Sequence, residues 1–397
     1  MPSFDEDPSF AGCPDRRGTG SEKWDRWAGR DVIPSWVADM DFAAAPEVLA
    51  ALHRRVDHGV FGYTHDPPGF ATALAIHLDR RHGWRIDPEW VVGTPGVVTG
   101  LALTARLLTE PGQEIITLTP VYPPFLTLPA AADRRAVRVP LARSATTWSI
   151  DWDALEAATT ADVRLVWLCH PHNPTGTVWR CDDLVKLAEF AGRRGLAVVS
   201  DEVWSDLLLD EHAGGPGHVP FASIDHPIAR AAITLVAPSK TWNLAGLGCA
   251  AAIVPQEDIR RRWRTAGGGL VPMINPLGYA AAEAAWLHGE PWRRRLIDLL
   301  VRHRELVDRA VRDVPGAGWI PPEATYLAWI DCRGTGVADP QAACERAGLG
   351  PSDGATFGAP GFIRLNTACP TARLQEALDR FRRAFDRCQS RVQPPST

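Results

Sequence analysis

Ala237-Pro238-Ser239-Lys240-Thr241-Trp242-Asn243 closes an apolar run at 233–237, and its reading decides the fold. A lysine at the C-terminal end of a buried strand faces the crevice where open α/β sheets bind ligands. Partial desolvation there lowers its pKa and makes it a base or nucleophile. A lysine capping a surface loop would look the same in isolation, so the other strand ends decide. Val199-Ser200-Asp201-Glu202 ends one apolar run in a carboxylate. His170-Pro171-His172-Asn173-Pro174-Thr175-Gly176 ends another in an amide followed by a Pro/Gly turn. One such group is commonly a turn former or a helix cap. Asn173, Asp201 and Lys240, at three strand ends in chain order, point to a site.

Working outward, strands are expected at 114–119, 136–139, 164–169, 196–200, 233–237 and 249–254. Most are continuous apolar runs, as in strands covered on both faces of a mostly parallel sheet. Helical patterns lie between them. Leu184, Leu187, Ala188 and Ala191 repeat at i, i+3, i+4, i+7 within 182–193, and a second helix is expected over 97–108. Strand–helix alternation makes this an α/β chain. From about residue 286 the pattern changes. A long helix at 292–312, strands at 326–331 and 362–366, and a last amphipathic helix carrying Leu374, Ala377, Leu378, Phe381 and Phe385 read as a smaller α+β domain. The expected division is an arm with part of the small domain over 1–45, a large domain over 46–285, and the small domain over 286–397. The first ~30 residues read as an extended arm, and 393–397 as a frayed tail.

Composition narrows the function. The chain has 397 residues, 45% hydrophobic and 22% charged, which excludes a disordered protein. No apolar run reaches the 18 residues a membrane helix needs. A net charge of −5 offers no general basic field for nucleic acid. The short arginine clusters at 80–81, 134–135, 260–262 and 293–295 read mostly as solvated helix faces. Eight scattered cysteines, with no C-x-x-C pair and no zinc spacing, suggest reduced thiols in the cytoplasm and no metal site. The N-terminus lacks the basic and apolar regions of a secretory signal.

Gly93-Thr94-Pro95-Gly96-Val97-Val98-Thr99 adds a glycine turn opening a helix, where free N–H groups favour an anion. A phosphate site, a carboxylate, an amide and a strand-end lysine together suit pyridoxal 5′-phosphate (PLP). The lysine forms the Schiff base, the carboxylate keeps the pyridine nitrogen protonated, and the amide reaches the ring oxygen. Tyr122, in Thr119-Pro120-Val121-Tyr122-Pro123-Pro124-Phe125, is placed to stack on the ring.

With these residues the sequence resembles the fold-type-I PLP enzymes of the class I/II aminotransferase superfamily. More closely, it resembles the bacterial cystathionine β-lyase and cysteine-S-conjugate β-lyase branch. Gly18-Thr19-Gly20-Ser21-Glu22-Lys23-Trp24-Asp25, Trp36-Val37-Ala38-Asp39-Met40-Asp41-Phe42, Gly59-Val60-Phe61-Gly62-Tyr63 and Gly361-Phe362-Ile363-Arg364-Leu365-Asn366 carry the resemblance beside the motifs above. It implies a mostly parallel seven-stranded sheet in the large domain. It implies Lys240 as the Schiff-base lysine that moves the Cα proton, Asp201 on the pyridine nitrogen, Asn173 on the ring oxygen and Tyr122 on the ring face. Gly96, Val97 and Ser239 would contact the phosphate. Tyr63 would reach the phosphate of a neighbouring subunit in a homodimer. Arg364 would clamp the carboxylate of a small amino-acid substrate, with Ala38, Asp39 and Asn173 beside it.

The activity so implied is PLP-dependent β-elimination from cystathionine or related L-cysteine S-conjugates to pyruvate, ammonia and a thiol. Some positions depart from the pattern. Trp204 stands where the branch often has histidine, and Trp242 where it usually has phenylalanine, so both could reshape the pocket. Gly248 stands where aspartate aminotransferases carry a phosphate-binding arginine, which favours a lyase. An aminotransferase, a tailoring enzyme that eliminates from or decarboxylates an S-conjugate, and a non-catalytic regulatory protein are the rival readings. The intact Asn173, Asp201, Lys240 and Arg364 oppose the last.

Overall fold

The computed structural model describes residues 10, 12–211, 214–215, 217–267, 269 and 271–386. The 393–397 tail and Cys388 lie outside the described residues. Seven strands form the central sheet: β1 (Val91–Thr94), β2 (Glu114–Thr119), β3 (Arg135–Pro140), β4 (Val163–Cys169), β5 (Ala197–Asp201), β6 (Ile233–Val236) and β7 (Ala250–Ile253). Their order is β1-β7-β6-β5-β4-β2-β3. β7 is antiparallel to both neighbours, and the remaining pairs are parallel. Six of the seven were legible as apolar runs. β1 was not, because Val-Val-Gly-Thr is short and its glycine reads as the start of a turn.

Register explains why the site residues converge. Cys169 pairs with Asp201, and Asp201 with Leu235, so β4, β5 and β6 end in one row. Asn173, Asp201 and Lys240 therefore emerge along the same edge of the sheet. The expected helices form as α1 (Val97–Leu108), α2 (Cys181–Arg194), α3 (Glu290–Arg312) and α4 (Thr371–Asp386). Leu184, Leu187, Ala188 and Ala191 of α2 are fully buried against the sheet. Truncating Leu187 to alanine there would cost about 2–5 kcal/mol. Gly195 ends α2 in a left-handed conformation, with its N–H bonded back to Ala191 and Gly192.

A second sheet, β8 (Gly318–Trp319), β9 (Leu327–Asp331), β10 (Ser352–Asp353) and β11 (Phe362–Asn366), is antiparallel in the order β8-β9-β11-β10. The two-residue strands at its edges are too short to carry a sequence pattern.

The N-terminal segment corrects the expectation of an extended arm. Glu22–Asp25 is a helical turn capped by Ser21, whose Oγ accepts from Trp24 N at 3.3 Å. Ile33–Pro34 pairs in parallel with Leu349–Gly350. Phe10 is buried, its ring 5.1 Å from Phe42 and 5.4 Å from Trp292. Apolar anchors among polar residues thus build this segment into the core. Arg293 also departs from the solvated helix face expected of it. It is buried and ion-paired to Glu211 and Glu290.

Candidate active site

Beyond the row where β4, β5 and β6 end lies a cavity of about 280 Å³. Ala38, Gly96, Val97, Tyr122, Asn173, Asp201, Ser239 and Lys240 all line it. Lys240 Nζ donates to the Ala38 carbonyl at 2.8 Å and lies 5.8 Å from the Trp204 ring centre. Burial, and then the Arg364 guanidinium, push the lysine down to about 8. Asp201 is buried and accepts from Val203 N at 3.2 Å. Burial pushes its carboxyl up to about 7. Glu202 turns the other way and accepts from Ser200 Oγ, Phe221 N and His218 Nε2 at 2.8–2.9 Å.

Arg364, on β11, closes the site from the second sheet. Nη1 donates to Asn173 Oδ1 at 3.1 Å and Nη2 to the Trp36 carbonyl at 2.8 Å, while the Phe357 ring packs 4.6 Å away. Its Nε is buried with no hydrogen-bond partner. Among the described residues no carboxylate pairs with this guanidinium, and burial pushes it down to about 10. A buried cation without a counter-charge is an anion site. Because Asn173 Oδ1 accepts from Arg364, its amide NH2 is left to donate into the cavity.

The donor set fits PLP. Gly96 precedes the first turn of α1, and a Cβ there would meet nothing within 4 Å, so the helix N–H groups are open to a phosphate. Ser239 lies beside them. A protonated pyridine nitrogen would supply the charge that Asp201 lacks.

Two expected residues take no side-chain part in this chain's own cavity, Tyr63 being expected at a neighbouring subunit's site and Asp39 through its backbone. Tyr63 is 98% exposed and does not line its own chain's cavity. The Asp39 carboxylate turns to Arg16, at 2.6 Å, so only the backbone of this segment faces the pocket. Of the two unusual tryptophans, Trp204 lines the cavity, whereas Trp242 is buried in the core with Nε1 donating to Gly289 O at 3.0 Å. Trp242 therefore does not reshape the pocket directly. Gly248, at φ +57°, lines the cavity where an arginine would otherwise enter.

Sequence reasoning missed Tyr326, whose hydroxyl donates to the Ala38 carbonyl at 3.0 Å and whose ring lies 4.9 Å from Trp204. Its one signal was a polar tip at the head of an otherwise apolar strand. A cluster of His77, His82 and Asp206 also escaped notice, because Asp206 is far in sequence from the two histidines. Arg81 stands 3.7 Å from the same carboxylate, so the cluster reads as an ion-pair network.

The model of the family "Aminotransferase class I and II" matches residues 37–381. Cystathionine beta-lyase PatB of Bacillus subtilis is 36% identical over 387 residues, covering 94% of this chain and 98% of that protein. The crystal structure of OvoB superposes with a TM-score of 0.90 at 42% identity, covering 94% of this chain and 97% of the other. Cystalysin from Treponema denticola, which contains a pyridoxal 5′-phosphate cofactor, gives 0.89 at 32% identity, covering 95% and 98%. Matches along nearly the whole chain, with the strand-end lysine, carboxylate and amide around one cavity, place this protein in the class I and II aminotransferase family of PLP enzymes, in the branch of the cystathionine β-lyases.

Proposed function

We propose that this chain is a carbon–sulfur β-lyase that cleaves cystathionine or a related L-cysteine S-conjugate. The products are pyruvate, ammonia and a thiol, with one water consumed. The observation that carries the reading is the buried, carboxylate-free Arg364 sharing a site with Lys240. Such a pair suits a small α-amino acid, held by its carboxylate with its Cα near the lysine. When bound, PLP supplies the electron sink that makes the Cα proton acidic.

The remaining work belongs to the chain's own residues. Arg364 binds the substrate carboxylate through a fork already braced by Asn173 and the Trp36 carbonyl. Lys240, pushed down to about 8, takes the Cα proton at Nζ and holds it near the Ala38 carbonyl. Asp201 would hold a positive charge on the pyridine nitrogen of PLP, and the Asn173 amide would donate to its ring oxygen. Tyr122 would cover the ring, while Gly96, Val97 and Ser239 would hold the phosphate. A thiolate leaves Cβ readily, so little further acid catalysis is needed.

The reading includes a homodimer in which Tyr63 reaches the neighbouring site. Exposed Val56, Val60, Phe61, Tyr63 and Met273 support it, since such residues favour burial. It keeps the division 1–45, 46–285 and 286–397. The two main sheets lie wholly within the second and third parts. A cytoplasmic setting accords with the seven unpaired cysteines among the described residues. No helix among these residues is long and apolar enough to cross a membrane.

The test is to incubate PLP-loaded protein with a panel of S-alkyl-L-cysteines and no 2-oxo acid. Catalytic pyruvate release supports the lyase. No pyruvate, together with a 2-oxo-acid-dependent exchange of amino groups, would make the chain an aminotransferase.

A further inference from the structure

Residues 36–42 meet the cavity at Ala38, and side chains cap nearly every carbonyl they present. Trp36 O accepts from Arg364 Nη2 at 2.8 Å and Ser352 Oγ at 2.9 Å. Ala38 O accepts from Lys240 Nζ at 2.8 Å and Tyr326 OH at 3.0 Å. Two asparagines take most of the rest, beside Lys23 Nζ on Asp39 O at 3.2 Å and Arg16 Nη1 on Met40 O at 3.1 Å. Asn366 Nδ2 bridges the carbonyls of Val37 and Asp39, at 2.6 and 2.5 Å. Asn243 Nδ2 bridges those of Met40 and Phe42, at 3.1 and 2.8 Å, while its Oδ1 accepts from Met40 N at 2.9 Å. Each amide thus spans carbonyls i and i+2 of a segment that bends at 37–38 and again at 41–42.

The placement of these asparagines gives the pattern its meaning. Asn243 lies three residues after Lys240, and Asn366 two residues after Arg364. Asn243 holds φ +59°, a left-handed conformation that few side chains adopt. Such strain persists where surrounding bonds over-determine it, here three bonds to one segment. Asn366 is fixed in turn, with Oδ1 accepting from Ala368 N at 2.8 Å. The segment is gripped from one side by the turn that carries the lysine and from the other by the strand that carries the arginine.

We propose that Asn243 and Asn366 are positioning residues, holding residues 36–42 as a preformed strap that sets the separation of Lys240 from Arg364. The strap itself stands on the hydrogen bonds. Its kinetic consequence rests on the lyase reading above. Releasing the Arg364 end loosens the carboxylate clamp and raises KM. Releasing the Lys240 end displaces the base and lowers kcat.

The sharp variants are Asn243→Asp and Asn366→Asp. Each keeps the accepting oxygen and removes both donations to strap carbonyls. Asn243→Ser and Asn366→Ser are the second pair, free of the added charge, and they carry the same arms if an aspartate variant fails to fold. Hydrogen exchange over 36–42 is measured on the full PLP-loaded chain, with kcat and KM for S-ethyl-L-cysteine. Each lost donation is worth roughly a factor of two to ten. Strap exchange should therefore rise about tenfold or more in every variant. At position 366 KM should rise about tenfold with kcat changed less, and at position 243 kcat should fall about tenfold with KM changed less. Unchanged strap exchange would overturn the proposal, and so would the same KM and kcat effects at both positions. If the wild type releases no pyruvate, the lyase reading fails, and the exchange arm still decides the strap.

Discussion

Replacing Arg364 by leucine should separate function from stability. The guanidinium is 5% exposed and pushed down to about 10, so its burial costs about 3 kcal/mol of folding free energy. Leucine removes that penalty. It also forfeits the bonds to Asn173 Oδ1 and Trp36 O, together worth about 2 kcal/mol. These opposing effects leave stability within about 2 kcal/mol of wild type. The effect on catalysis does not cancel. A substrate carboxylate facing leucine loses a buried, charge-assisted pair, worth about 2–5 kcal/mol. At 1.4 kcal/mol per decade this is roughly a 30- to 4,000-fold fall in kcat/KM. Arg364→Lys should recover only part of it, because an ammonium cannot reproduce the fork. The assay is steady-state pyruvate release alongside a thermal melt of the PLP-loaded protein. A leucine variant within threefold of wild-type kcat/KM would refute the assignment of Arg364. One that loses activity only by unfolding would refute the energetic reasoning.

Lys240→Ala should abolish turnover and the covalent attachment of PLP, read as loss of the absorption band at ~420 nm expected of a lysine-bound cofactor. With the lysine pushed down to about 8, PLP uptake by the apoprotein should accelerate about tenfold per pH unit up to pH 8 and level off above it. A rate still climbing at pH 10 would contradict that. Asp201 is raised to about 7, so the folded apoprotein holds a proton that the unfolded chain releases near pH 4. Apoprotein stability from this group therefore falls as pH rises from about 4 to 7 and is flat above. Asp201→Asn should accordingly stabilise the apoprotein at pH 8, by up to about 4 kcal/mol, and far less at pH 4. Equal melting shifts at both pH values would count against it. Gly176 holds φ +70°, and a Cβ there would fall 2.3 Å from Pro322 Cβ. Gly176→Ala should therefore destabilise by about 3 kcal/mol, checked by denaturant melts.

The sequence displayed what depends on local pattern. Apolar runs, most of them continuous, marked β2 to β7, and the i, i+3, i+4 spacing marked α2 within a residue of its ends. Lys240, Asp201 and Asn173 were legible because strand ends in a parallel sheet are where ligands bind. What escaped depends on long-range placement. The antiparallel direction of β7 leaves no trace in Cys-Ala-Ala-Ala-Ile-Val. Trp204 and Trp242 carry the same side chain, yet one lines the cavity and the other fills the core. The capping of residues 36–42 joins Lys23, Asn243, Tyr326, Ser352 and Asn366, which no spacing rule connects.

The most direct measurement is the product stoichiometry from L-cystathionine with PLP-loaded wild-type protein, followed over many turnovers without added 2-oxo acid. One pyruvate, one ammonia and one homocysteine per cystathionine consumed, all absent with Lys240→Ala, is the result expected of a β-lyase built on this site. Cystathionine and S-alkyl cysteines both left intact by protein that binds PLP, or products that persist in Lys240→Ala, would contradict it.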